Sequence, residues 1–261
     1  MYMKRTVDCG TYVEVKTYHA PGAREKGTPR RKREKPSRPA QKKLNRENAV
    51  ERVAWKMRCN FVGGVHSHVT LTYDDGKNRS CSFDEMEADM KKFNDTFRRR
   101  YRKKFGKEYR YIFAYGVGAG GFRHVHILPN VTGEDENELF ERTWRECIEG
   151  AGRVYFTRLD RPGDPGEDLS KLAEYFIQNG ESALKFFGEE GRATYHASRN
   201  LKEPVITVEK VTRASTFKKK TTDRKNYTLV PGSEKSGRDM YGYEYFKYIL
   251  RKRNIGGKFK C

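Results

Sequence analysis

The stretch YIFAYGVGAGGFRHVHILPN, residues 111–130, decides the fold. Gly116, Gly118 and Gly121 spell G-x-G-x-x-G directly after the strand-like run YIFAY. A dinucleotide-binding unit needs a helix next, because the helix N-terminus receives the pyrophosphate. Here RHVHIL (123–128) follows instead, alternating polar and apolar residues with the period of a strand. The glycines then belong to the turn of an antiparallel hairpin, and the dinucleotide reading fails. On the second strand His124 and His126 are two residues apart and share one face, while Val125 points to the other. Two imidazoles on one face can converge on a single cation, or they can simply cap a polar sheet face. A three-residue motif alone does not separate these readings.

Working outward, VHSHVTLTY (65–73) is rich in β-branched residues and stops at the turn DDGKN. It places His66 and His68 on one face with Thr70 and Thr72. If it neighbours the 123–128 strand, one of these histidines reaches the same ion, or else orients the site through a hydrogen bond. Next comes the clearest helix of the chain. Ser82 and Glu85 form a capping box, and Phe83, Met86, Met90, Phe93, Phe97, Tyr101 and Phe105 recur every three or four residues. That stripe reads as core. At its far end Arg98, Arg99, Arg100, Arg102, Lys103 and Lys104 suit the helix dipole and also suit DNA phosphates. Phe140, Trp144 and Cys147 mark a helix near 134–149, GRVYFTRL (152–159) a strand, and EDLSKLAEYFIQN (167–179) a further helix. The order β-α-β-β-α-β-α predicts an α+β fold: a central antiparallel sheet with helices packed on it.

In the helix at 167–179, Leu169, Leu172, Ala173, Phe176 and Ile177 cluster on one arc. Tyr175 falls roughly 130° from the centre of that arc, beside Lys171 and Gln178. A phenol with a pKa of about 10 is a poor nucleophile unless a cation or polarised phosphate assists it. With 16 tyrosines in the chain, an off-stripe tyrosine is also expected by chance.

Composition sets the partner class. Lys and Arg total 55 against 35 acidic residues, a net charge of +20 over 261 residues, which calls for a polyanion. No run approaches the roughly 18 apolar residues of a spanning helix, and MYMKRTVDCG has no apolar signal segment. Five cysteines without a CxxC pair argue against a disulfide framework or zinc finger and suit a reducing cytoplasm. TYVEVKTYH (11–19) alternates and reads as an edge strand. Residues 21–46 carry 11 basic and two acidic residues, as a flexible basic arm would. A helix is expected over 40–58, and YEYFKYILRKR near the end reads as a basic helix or strand. The expected division is 1–46 for the edge strand and arm, 47–210 for the main domain, and 211–261 for a basic C-terminal extension. Basic segments at 24–46, 98–104 and 210–225, with Arg123 and Arg199, are the candidate DNA contacts.

HVTLTY (68–73), HVHILPN (124–130) and DLSKLAEYFIQN (168–179), in this order, resemble three motifs of the HUH-endonuclease superfamily. More specifically, they are similar to the rolling-circle replication initiators of bacterial plasmids and phage-like elements. YHASRNLKEPVI (195–206) and QKKLNRENAVERV (41–53) add weaker similarity. The resemblance implies an HUH nuclease core of the RRM-like ferredoxin type and a site-specific DNA endonuclease and strand transferase. It implies His124, His126 and His68 as ligands of Mg²⁺ or Mn²⁺, Tyr175 as the nucleophile, and Lys171 as its helper. The product would be a 5′-phosphotyrosyl link with a free 3′-hydroxyl, and the partners single-stranded origin DNA, a host helicase and a polymerase, in the cytoplasm of a bacterial host. Gly116 stands where such proteins commonly carry a glutamate ligand, and Gln178 where many carry a lysine. Two other classes stay open: a catalytically degenerate origin-binding protein of the same fold, and a basic RNA-binding protein.

Overall fold

The hairpin at 111–130 forms as its alternation requires, at the centre of a five-stranded antiparallel sheet. The computed structural model describes residues 1–20, 39–164, 166–211, 226–239 and 241–253. It comprises two units, Asn60–Lys202 and a second made of Met1–Cys59 with Glu203–Cys261. Most of the basic arm and the basic segment at 212–225 lie outside the described residues.

In the Asn60–Lys202 unit the strands are β3 (Ser67–Tyr73), β4 (Tyr111–Val117), β5 (Arg123–Pro129), β6 (Ala151–Arg158) and the short β7 (His196–Ala197). Their order is β6-β3-β5-β4-β7, every pair antiparallel. Helices α2 (Phe83–Phe105), α3 (Glu134–Cys147) and α4 (Ser170–Phe187) complete the unit. The α+β architecture is the expected one. Register sorts the two faces of the sheet. Val69 pairs with Ile127, Leu71 with Val125, and Phe113 and Tyr115 with Ile127 and Val125, so these apolar side chains share a face. They are buried against the stripe of α2 and against Leu139, Phe140 and Trp144 of α3. On the opposite face Thr70 and Ala114 flank His126, and Thr72 and Gly116 flank His124.

Helix α2 begins where its capping box dictates. Glu85 N–H donates to Ser82 Oγ at 3.3 Å, and Ser82 N–H donates to the Glu85 carboxylate at 2.7 Å. It stops at Gly106, whose left-handed backbone (φ 65°) lets its N–H reach the Arg102 carbonyl. Phe93 is fully buried, edge-on to both Phe140 and Trp144 at centroid distances of 4.9 and 5.5 Å.

The second unit holds α1 (Pro39–Asn60), β1 (Tyr2–Asp8), β2 (Tyr12–His19), β8 (Val205–Lys210), β9 (Tyr227–Leu229), β10 (Lys235–Arg238) and β11 (Glu244–Lys252). The sheet order is β10-β11-β2-β1-β8, with β9 also paired to β11. The segment expected as an edge strand, 11–19, is therefore interior, between β1 and β11. The alternation misled because Glu14, its apparent solvent-side residue, is buried. Arg58 at 2.9 Å and Lys247 at 3.1 Å neutralise its carboxylate. The two ends of the chain, expected as a separate arm and extension, share this one sheet, and the segment near 244–252 is a strand.

Replacing Phe93 with alanine leaves a cavity between α2 and α3 and should cost about 3–5 kcal/mol of stability. Urea unfolding followed by tryptophan fluorescence measures this. A loss below about 1 kcal/mol would show that the α2 stripe is not the core of the unit.

Candidate functional site

The histidine face acquires its geometry from three neighbouring elements. As the middle strand of five, β5 buries Val125 and Ile127 completely on the core side and leaves His126 only 3% exposed on the other. Helix α4 covers that second face, seating Phe176 with its ring centroid 5.6 Å from that of His68. The helix starts at Ser170, three residues later than its sequence pattern implies. Leu169 adopts a left-handed backbone (φ 58°), and Asp168 beside it accepts from Ser170 Oγ at 2.6 Å. Such a conformation costs a non-glycine residue about 1–2 kcal/mol, so packing on the sheet must hold it.

From this helix Tyr175, itself 42% exposed, brings its hydroxyl to 3.0 Å from His126 Nε2. His124 Nε2 lies 3.0 Å from the same nitrogen. On the far side of the ring, His126 Nδ1 meets His68 Nε2 at 3.1 Å and Thr70 Oγ1 at 3.3 Å. The structure thus brings His124, His126, His68 and Tyr175 together, with His68 behind the His126 ring rather than beside His124. His66 turns away, its Nδ1 accepting from the Val62 N–H at 3.0 Å. Lys171 is exposed, its aliphatic chain beside Gly166.

The partners fix much of the protonation. A carbonyl only accepts, so the 3.2 Å contact of His124 Nδ1 with Phe122 O puts the proton on Nδ1 and a lone pair on Nε2. Two tautomers of His126 satisfy the rest. Either Nε2–H donates to His124, or Nδ1–H donates toward His68 and Thr70 while Nε2 accepts from Tyr175. In the second tautomer two Nε2 lone pairs stand 3.0 Å apart, an arrangement that only a cation between them stabilises. Burial, together with the neighbouring His124 and His68, carries His126 down to about 2, against an opposing hydrogen bond from Asn179. Burial and His124 lower His68 to about 4, and burial also lowers His124. Neutral imidazole is the form that binds a metal.

Two donors of this kind fit a divalent first-row ion better than Mg²⁺, which prefers oxygen. Among the described residues no group of three or more His, Cys, Asp or Glu forms a metal cluster, so the protein's own share is two nitrogens. Gly116 explains the absent carboxylate. It pairs with His124 across the hairpin, and a Cβ there would lie 2.3 Å from His124 Nε2. The imidazole occupies the space that a side chain at 116 would need.

Residues 66–180 match the family model for replication-associated proteins of the ORF2 type. This segment is Rep-like. The match begins at His66, before β3, and ends inside α4, so it contains the three histidines and Tyr175 but covers less than half of the chain. No curated protein and no solved structure matches. A replication-associated family makes DNA the partner class, and among the described residues no helix is long and apolar enough to cross a membrane.

The candidate DNA contacts divide. Arg98, Arg100 and Arg102 pair with Asp95 (2.9 Å), Glu146 (2.5 Å) and Glu108 (3.6 Å), and Lys104 lies over Phe105. With Arg99 and Lys103 they end a helix packed on the sheet face opposite the histidines. Arg123 is braced by the Gly121 and Cys81 carbonyls, and Arg199 is exposed beyond β7. Sequence reasoning missed Asn179, whose Nδ2 donates to the Tyr175 carbonyl at 2.8 Å while its side chain also reaches His126. Its position one turn after Tyr175 was the available signal. Tyr155, paired with Thr70 and half-exposed, was also missed as a resident of the histidine face.

Two outcomes follow. Imidazoles free in the unfolded chain take up protons below about pH 6.5, while the buried His68 and His126 do not. Stability is therefore fully present above about 6.5 and falls as pH drops toward about 4. Metal-free urea unfolding should show this loss between about pH 7 and 5, and His68→Gln should flatten it; an unchanged slope would remove His68 from the buried network. Separately, Gly116→Ala should displace the His124 ring, weakening Mn²⁺ binding by about tenfold or more in calorimetric titration. Wild-type affinity would mean that His124 is not a ligand.

Proposed function

We propose that the chain is a single-strand DNA nickase that initiates rolling-circle replication, with Tyr175 as nucleophile. The observation that carries this reading is the 3.0 Å contact of the Tyr175 hydroxyl with His126 Nε2, at the meeting point of two imidazoles. The Rep-like match over 66–180 supports it.

His124 and His126 would hold Mn²⁺ or Mg²⁺, and the ion supplies Lewis-acid polarisation of the scissile phosphate when bound. The residues do the rest. Asn179 grips the Tyr175 carbonyl, and Phe176 anchors the helix turn, so the phenol is held at one place. His126, with its imidazole carried down to about 2, positions the phenol but is too weak a base to keep its proton. The Tyr175 oxygen attacks phosphorus in line, forming the Tyr–O–P bond as the P–O3′ bond breaks. In net terms the phenol's proton ends on the departing 3′ oxygen. The phosphodiester energy is conserved in the 5′-phosphotyrosyl link, and the free 3′-hydroxyl primes synthesis. His68 acts behind His126, accepting from its Nδ1–H and so keeping the Nε2 lone pair forward. Lys171, on the same helix, is the candidate cation for the phosphate, and a host helicase and polymerase would complete replication in a bacterial cytoplasm.

One observation favours a second reading. With Gly116 filled by His124 and only two nitrogen donors, the protein would bind origin DNA without cutting it.

Incubation with single-stranded origin oligonucleotides and Mn²⁺ should trap a covalent protein–DNA adduct on denaturing gels. Tyr175→Phe should abolish the adduct, and His126→Ala should lower its rate by about 10²-fold or more. An undiminished adduct in Tyr175→Phe refutes the nucleophile; tight binding with no adduct under any metal establishes the second reading.

A further inference from the structure

The turn that joins β4 to β5 presents a second surface beside the histidines. Phe122 and Phe186 remain 39% and 52% exposed there. The Arg79 guanidinium lies over the Phe122 ring, 4.3 Å from its centroid. Arg79 is exposed, and among the described residues no carboxylate pairs with it. The other arginine at the turn is spent on structure. Arg123 donates to the carbonyls of Gly121 (2.6 Å) and Cys81 (3.2 Å) and lies over Phe186 at 5.2 Å.

Glycine lets the turn lie this close to the site. At Gly120 (φ 78°) a Cβ would stand 3.3 Å from the Phe122 ring, and at Gly118 one would stand 3.8 Å from His124 Cε1. Phe122 is also bonded to the site through its carbonyl, which accepts from His124 Nδ1. A guanidinium lying on an aromatic ring keeps one planar face for a nucleobase and its N–H edge for a phosphate. A single exposed phenylalanine needs no explanation. One capped by an unpaired arginine, hydrogen-bonded to a candidate ligand histidine, fits a nucleotide.

We infer that Arg79 and Phe122 form a nucleotide subsite for single-stranded DNA, holding the nucleotide next to the scissile phosphate on the His124 side. The placement of the scissile phosphate rests on the nickase reading; the binding itself does not require cleavage.

The test uses the full chain in EDTA with a thymidine dodecamer, and the same dodecamer carrying 2-aminopurine at successive positions. Wild type should quench the probe at one or two adjacent positions. Phe122→Leu and Arg79→Gln should each weaken binding about tenfold and abolish that quench. Arg79→Gln should also lower the salt slope by about 0.7, one single-strand phosphate contact. Affinity and quench within about twofold of wild type in both variants would overturn the subsite. So would a lower salt slope with the quench intact, which marks a plain phosphate contact. If Phe122→Leu lowers the melting temperature, Arg79→Gln decides alone, because its side chain is exposed. Binding with quench but no Tyr175 adduct in Mn²⁺ would refute the nickase reading and leave the subsite standing.

Discussion

The site turns on one buried imidazole with both ring nitrogens engaged. His126 sits on the middle strand of a five-stranded sheet, almost without water, and meets His68 and Thr70 through Nδ1 and His124 and Tyr175 through Nε2. Burial makes the protonated form costly, so the ring stays neutral and its lone pair stays available. Each other constraint serves this ring. The core-facing Val125 and Ile127 fix the strand, α4 roofs it, and the left-handed Leu169 sets where α4 begins. A shift of one residue in the β3–β5 register would turn His68 and Thr70 to the core face and empty the network.

Gly116 gives this site its particular character. In proteins that the motifs resemble, a carboxylate commonly stands at this position; here the His124 ring lies across the bare glycine. The two features are one choice, because the ring and a side chain cannot share the space. A ligand set with an anionic member is thereby replaced by neutral nitrogens alone. A bound divalent ion keeps its full charge for substrate oxygens, but the ion is held by fewer protein bonds, so substrate phosphate itself becomes part of what retains it.

Much of this was legible in the residues, and the failures have physical causes. The period-2 pattern of 123–128 and the capping box at Ser82 are local signals, and the elements they mark form as read. The pairing of His124 with His126 on one face follows from strand geometry alone. Other features required the tertiary structure. Glu14 looked solvent-facing because a sequence does not show that Arg58 and Lys247 will meet it. The start of α4 shifted because Leu169 was counted as helical when packing holds it left-handed. His66 and His68 looked equivalent at two-residue spacing, yet β3 begins at Ser67, so only His68 shares the strand geometry. Asn179 went unnoticed because its contact with His126 crosses from helix to sheet.

Charge shows the same division between what a chain declares and where it acts. A net +20 identifies a polyanionic partner without locating it. The densest basic run of the described residues, at the end of α2, lies on the sheet face away from the histidines, and several of its members pair with Asp95, Glu108 or Glu146. Exposed pairs of this kind contribute little to stability and exchange readily for phosphate, so they suit a general, salt-sensitive hold on DNA. The histidine face is different. Its groups are neutral imidazoles, threonines and tyrosines, with Arg79 at its glycine-rich border. Long-range attraction and local selection are therefore carried by separate surfaces: the first by diffuse charge, the second by hydrogen bonds and ring contacts that charge density alone does not reveal.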